Sequence, residues 1–219
     1  MYRFLLVMCL VGVVLLTACT VRPPAEHYIE SYKGNPLMAE SIADQMIDFV
    51  TNMQIAANAA KKPIKDPAIL RAMDETFIEA RRIRDAAFAA QDQGKKGEFH
   101  GIMESAVTGE VLLVDETLYF GYAFQTDVVI DMHVLLSKHV TPSTEAELFS
   151  EPTMDLGLLK SVLGPQKYHV GLLSNSDWNQ YRTVALYSAP LKRVIGYAQI
   201  RGNPRRDAAT DAADSSSSQ

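Results

Sequence analysis

Four histidines and the Tyr187-Ser188 pair are the residues of this chain whose types could do chemistry. His100, His133, His139 and His169 fall between residues 100 and 169, and neutral imidazole can ligate a metal or take up a proton near neutral pH. Their spacing makes no metal set. His133 and His139 are six apart, whereas recognised zinc patterns use tighter, paired ligands. Met132 offers a thioether beside His133, but neighbours on a strand point to opposite faces. By the same parity His133 lies opposite Ile130, Met132, Val134 and Leu136 and is expected to face solvent. Ser188 shares the parity of Val184 and Leu186, so its hydroxyl needs a buried hydrogen-bond partner. It is expected to mark a ligand pocket with Tyr187 and with His133 or His169. Hydrolytic chemistry has no foothold, because Gly171-Leu172-Leu173-Ser174-Asn175 is not a Gly-x-Ser-x-Gly elbow and the chain has no His-Glu-x-x-His. No catalytic residue, metal or cofactor is assigned from these residues, and the chain is not read as an enzyme.

The cysteines point elsewhere. There are two, Cys9 and Cys19. Arg3 precedes an apolar run from Phe4 to Leu16, which ends in Leu16-Thr17-Ala18-Cys19. A positive start, an apolar middle and small residues at the cut are the parts of an export signal. A helix over that run, rising ~1.5 Å per residue, falls well short of the roughly 30 Å hydrocarbon core. The ending resembles the bacterial lipobox, which implies acylation of Cys19 and cleavage before it. The mature chain would then hold no free thiol and form no disulfide. The partner expected at this end is membrane lipid. Thr20, not Asp, follows the cysteine, which resembles lipoproteins sent to the periplasmic face of the outer membrane.

Loss of residues 1–18 removes Arg3 and no acid, so the formal charge moves from −5 to −6. Nucleic acid is excluded as a partner on that balance, since binding it needs a basic face.

The elements that must position these groups fall into two kinds. Residues 19–35, with Pro23-Pro24 and Gly34-Asn35-Pro36, read as a tether. From 36 to 96 the spacing predicts a helical hairpin. Asn35 caps a first helix with Pro36 in its first turn, and Asp66-Pro67 opens a second in the same way. The first helix carries an apolar stripe at Ile42, Met46, Phe49, Met53, Ala56 and Ala60. The second carries Ile69, Leu70, Met73, Phe77, Ala80, Ile83, Ala87 and Phe88. From Phe99 the pattern turns to period two, with strands expected at 109–114, 118–124, 130–137, 167–172, 183–187 and 194–201. Asp155 is expected to cap a short turn over 156–162. Tyr168, Trp178 and Tyr181 are expected to pack one edge. Residues 203–219 hold little to bury and are expected to be disordered. The fold class is α+β, an antiparallel helical hairpin followed by an antiparallel β-sandwich or barrel.

Three stretches in the β-region carry a family likeness. They are Gly97-Glu98-Phe99 with Ser105–Gly109, then Asp131-Met132-His133-Val134-Leu135-Leu136-Ser137. The third runs Asp155-Leu156-Gly157, Gly164-x-Gln166-x-Tyr168 and Tyr181-Arg182-x-Val184. Together they resemble the DM13 domain over residues 97–202, a family of small extracytoplasmic β-domains associated with electron transfer. The resemblance implies a cysteine in the strand after the third stretch. Here that position reads Tyr187-Ser188, and a serine cannot form a thiolate or a disulfide.

The leading expectation is therefore a membrane-anchored, non-catalytic envelope lipoprotein whose β-domain binds a small ligand or an envelope protein. A second is a redox- or metal-linked accessory electron-transfer protein. A third is a structural protein that forms oligomers through the hairpin.

Overall fold

The computed structural model describes residues 34–171 and 180–202. Apart from Gly34, the described residues belong to one compact unit that begins at Asn35. The expected export signal, Cys19, the expected tether up to residue 33, Trp178 and the stretch from 203 lie outside the described residues.

Helix α1 spans Pro36–Ala59 and α2 spans Pro67–Gln91. Both start as the sequence dictates. The Asn35 side chain accepts from Leu37 N at 3.2 Å and Asp66 from Ala68 N at 2.9 Å, with proline following each cap. Such a cap contributes about 1 kcal/mol. Asn35 also donates to the carbonyl of Phe120 at 3.0 Å, which ties the start of α1 to the β-domain.

The two helices pack as an antiparallel hairpin along Ala43 and Val50 on α1 and Met73, Ala80 and Ala87 on α2. The α2 stripe runs through Met73, Ala80 and Ala87 as expected, but Ile69, Leu70 and Phe88 near its ends are exposed. On α1 the seam is turned by about one residue. Val50 is buried and Phe49 is 56 % exposed. Alanines at 43, 80 and 87 let the backbones approach closely, and the bulkier Phe49 is displaced to the flank. No described helix is long and apolar enough to cross a membrane.

The rest is a nearly closed antiparallel barrel. Its strands are β1 (Lys95–Gly101), β2 (Val107–Thr108), β3 (Glu110–Val114), β4 (Thr117–Phe120), β5 (Gln125–Thr126) and β6 (Met132–Ser137). After the short helix α3 (Glu145–Leu148) come β7 (Thr153–Leu158), β8 (Gln166–His169), β9 (Thr183–Ser188), β10 (Arg193–Gln199) and β11 (Arg201–Gly202). The main sheet runs β7-β6-β9-β10-β1-β3-β4-β8, while β2 pairs with β5. Alternating residues fill the interior with Phe99, Leu118, Phe120, Val134, Leu136, Val184, Leu186 and Ile195. Phe99, Phe120 and Phe124 meet with ring centroids 4.6 to 5.4 Å apart, a geometry that adds about 0.5–1.5 kcal/mol per pair beyond burial. Gly109 makes this possible. It sits at φ +109°, and a Cβ there would lie 2.4 Å from Phe124 Cα.

Several local expectations are corrected. Residues 153–158 form strand β7 instead of a capped turn, because Thr153–Leu158 pairs with β6. The strand beginning near Leu118 stops at Phe120. Tyr122 lies in a turn and is 59 % exposed, and Ile130 is 67 % exposed just before β6.

The two end strands of the order, β7 and β8, are consecutive in sequence, and the connection 159–165 crosses the remaining gap. Backbone bonds tie Leu159 to Met132, Val162 to Thr126 and Gly164 to Phe124, and the Gln166 side chain fastens the stretch between them. Gln166 Oε1 accepts from Lys160 N, Ser161 N and the Tyr168 hydroxyl at 3.1, 3.1 and 2.8 Å, and its amide donates to Ser161 O at 2.6 Å.

Candidate functional site

The outer face of β6, β9 and β10 carries a second, smaller apolar cluster of Leu135, Ala185, Tyr187 and Val194, covered by Leu148 of α3. Helix α3 has one turn and depends on its cap. Thr144 accepts from Glu147 N, and the Glu147 carboxylate accepts from Thr144 N, each at 3.2 Å. Hydrogen bonds from Ser143 hold the Glu147 carboxyl below the usual range.

At the edge of this cluster is a hollow of about 150 Å³ lined by His133, Phe149, Thr153, Asp155, Tyr187 and their neighbours Leu135 and Ala189. The ladder places its parts. His133 stands directly across from Tyr187 in the β6–β9 register, and Asp155 on β7 stands across from Leu135. Between those positions β7 has one residue more than β6, a bulge at which Gly157 takes φ +98°. The bulge turns Asp155 toward the histidine. Asp155 Oδ1 accepts from Gly157 N at 2.8 Å, and Oδ2 lies 2.8 Å from His133 Nδ1. With a proton on Nδ1, the neutral ring leaves Nε2 as an acceptor, and Asp131 Oδ1 lies 3.6 Å from it.

Tyr187 is 7 % exposed and its hydroxyl donates to the Glu145 carboxylate. That bond, reinforced by burial, pushes the phenol up to about 12. Phe149 closes the other side, edge-on to the Tyr187 ring with centroids 5.2 Å apart. The arrangement offers an apolar aromatic wall beside a histidine whose proton is steered by a carboxylate.

The structure brings together His133 and Tyr187 and separates the other two candidates from them. Ser188 is fully buried, pairs in register with Met132, and donates to Ile130 O at 2.8 Å. It faces the interior, one residue on from Tyr187 and on the opposite side of the sheet. His169 is exposed at the end of β8, across from Thr117, and does not line the hollow. His133 is half-buried instead of fully solvent-facing. Asp155, Glu145 and Phe149 are the residues that sequence reasoning missed as parts of the site. The Asp155-x-Gly157 spacing signals a local carboxylate-to-amide bond. Glu145 and Tyr187 are 42 residues apart, and no local pattern links them.

A larger hollow, about 520 Å³, lies between the end of α2 and strands β1 and β11. Its polar groups are already engaged. Lys96 pairs with Glu110 at 2.8 Å, and Gln91 donates to Glu40 at 2.6 Å.

Comparison with known families fits the barrel. Residues 99–200 match the DM13 family model. That family is described as Electron transfer DM13, and the match runs from β1 to the end of β10, a little under half of the chain. The resemblance read from the sequence over 97–202 is thus borne out for the β-domain. No curated protein and no solved structure matches the chain. Both cysteines of the sequence lie outside the DM13-like domain, so this stretch brings no thiol of its own. Among the described residues no three His, Cys, Asp or Glu side chains are grouped so as to hold a metal ion.

Proposed function

We propose that this chain is an accessory electron-transfer protein of the bacterial cell envelope, whose DM13-like domain holds a one-ring organic redox carrier beside Tyr187. The observation that carries the reading is the match of residues 99–200 to Electron transfer DM13. It favours a redox-linked role over plain ligand binding. The hollow of about 150 Å³ is smaller than the roughly 300–1,000 Å³ of drug-sized sites and suits a single ring. In this reading Phe149 and Tyr187 contact the ring. His133 Nε2 takes up a hydroxyl proton when the carrier is oxidised, and Asp155 stabilises the imidazolium that results. The electron leaves to a separate acceptor protein of the envelope.

The test is protein purified from envelopes of its source cells, with absorbance recorded before and after dithionite, metal analysis and extraction of bound organic molecules. The expected result is a stoichiometric organic absorber that changes on reduction and is missing from a His133→Ala, Tyr187→Ala double variant. No absorbance change on reduction, or a stoichiometric metal in place of the organic group, overturns the reading.

The envelope location rests on the N-terminus. In the same proposal residues 1–18 are an export signal, and acylated Cys19 tethers the domain to the periplasmic face of the outer membrane. Leu16-Thr17-Ala18-Cys19 supports this. An acyl chain contributes about 0.8 kcal/mol per buried methylene, so two or three chains make a stable anchor. Intact mass should place the mature N-terminus at acylated Cys19, and Cys19→Ala should release the protein from membranes. A chain that retains Met1 without lipid overturns it.

A further inference from the structure

The hairpin seam of α1 and α2 has two unlike flanks. At ~100° per residue, Glu40 and Asp44 of α1 and Arg84 and Gln91 of α2 fall on one of them. Arg84 lies 3.5 Å from Asp44, and Gln91 donates to Glu40. This polar flank also faces the barrel, since Leu37 packs on Leu112 and Val114 and Lys96 reaches Glu40 at 3.7 Å. The other flank carries Ile42, Phe49 and Met53 on α1 and Ala72, Ile83 and Ala86 on α2. Phe49 is 56 % exposed, Ala72 and Ala86 are exposed, and the other three are partly covered. One carboxylate stands on this flank, Glu79, a heptad from both Ala72 and Ala86, and Arg82 at the flank's edge neutralises it through two hydrogen bonds at 2.8 and 2.6 Å.

We propose that this flank docks on the same flank of a second copy of the chain, so that two hairpins form a four-helix bundle. The dimensions suit a dimer. Helices of 24 and 25 residues are each nearly 40 Å long at ~1.5 Å per residue. Side by side about 9 Å apart they cover roughly 650 Å² per copy, enough to clear the about 1,000 Å² total that a stable interface needs. A twofold axis brings like surfaces together, which an apolar flank with a self-neutralised ion pair tolerates and a singly charged one does not. The alanines leave room for Phe49 of the opposing copy, the knob-and-hole pattern of close helix packing. A membrane surface is a poorer match, because interfacial helices surround their apolar face with lysine and arginine, and Arg82 here is already paired.

Sedimentation equilibrium of the full chain in density-matched detergent tests this. The wild type should be a dimer. Phe49→Asp should be a monomer with unchanged far-UV circular dichroism. Ile78→Asp, on an exposed position away from the flank, should remain a dimer. A monomeric wild type overturns the proposal, as does a Phe49→Asp protein as dimeric as the wild type. So does a wild type that is monomeric but binds phosphatidylglycerol vesicles through Phe49.

Discussion

Alternate residues of β9 build two faces of one sheet, and the faces are finished to different degrees. Inward, Val184, Leu186 and Ser188 join the main core, and the single polar group among them is spent on Ile130 O. Outward, Ala185 and Tyr187 lie in a cluster of five buried residues beside the hollow, with the phenol tied to Glu145 and the His133–Asp155 pair at its rim. Polar groups on the inner face stabilise the fold and have nothing left for a ligand. On the outer face His133 Nε2 lies 3.6 Å from Asp131 Oδ1, beyond hydrogen-bond distance. The difference places Ser188, at the position where the family resemblance implies cysteine, in the core against Ile130 O, while its neighbour Tyr187 lines the hollow.

The sharpest way to break this contrast is Leu186→Ala. The side chain is fully buried in the main core, and its loss should cost about 2–5 kcal/mol. A shift in the urea midpoint with unchanged m-value checks it. Ser188→Ala comes next. It strips the Ile130 carbonyl of its partner and should cost about 1–3 kcal/mol without affecting the hollow. Loss of carrier binding in that variant would mean that the faces are coupled.

Tyr187→Phe should cost less, about 0.5–1.5 kcal/mol, and it has a spectroscopic signature. The Glu145 carboxylate and burial hold the Tyr187 phenol up to about 12, against about 10 for an unperturbed tyrosine. Folding therefore favours the protonated form. The stability this contributes is complete below pH 10 and is lost as the pH rises from about 10 towards 12. Absorbance titration near 295 nm should show a late-ionising tyrosine that disappears in Tyr187→Phe. Burial also raises Tyr168, so a second late tyrosine should persist in the variant. The smallest effect is expected far from both faces. Arg71→Ala removes the exposed pair with Glu75 on α2, 2.8 Å long, and should change stability by no more than about 0.5 kcal/mol.

How much of this could be read beforehand follows from the range of each interaction. Asn35-Pro36 and Asp66-Pro67 announced both helices because caps are local. Inward parity on β6 and β9 was also readable, and it correctly sent Ser188 inside. What parity could not supply was the partner. The Ile130 carbonyl is 58 residues away, and its approach depends on sheet order. Asp155 was misread for a related reason. Asp-x-Gly favours a local turn, and its amide bond does form, but inside a strand whose bulge aims the second oxygen at His133. Phe49 shows a third limit. A stripe of large apolar residues shows which side of a helix is greasy, while the closest packing went to the small residues one position over.

The fastening at Gln166 has a kinetic consequence. Ladder bonds along β9 and β10 break together, so their amides should exchange with solvent deuterium only through global unfolding. Ser161 N is held by that one rotatable side chain, while Lys160 N also donates to the Tyr168 hydroxyl at 3.0 Å. Ser161 N should exchange through a local swing of that amide, many times faster and at a rate insensitive to Leu186→Ala, with Lys160 N slower than Ser161 N. Backbone bonds at Leu159, Val162 and Gly164 flank this point, so the connection has one preferred place to part, and deuterium would mark it first.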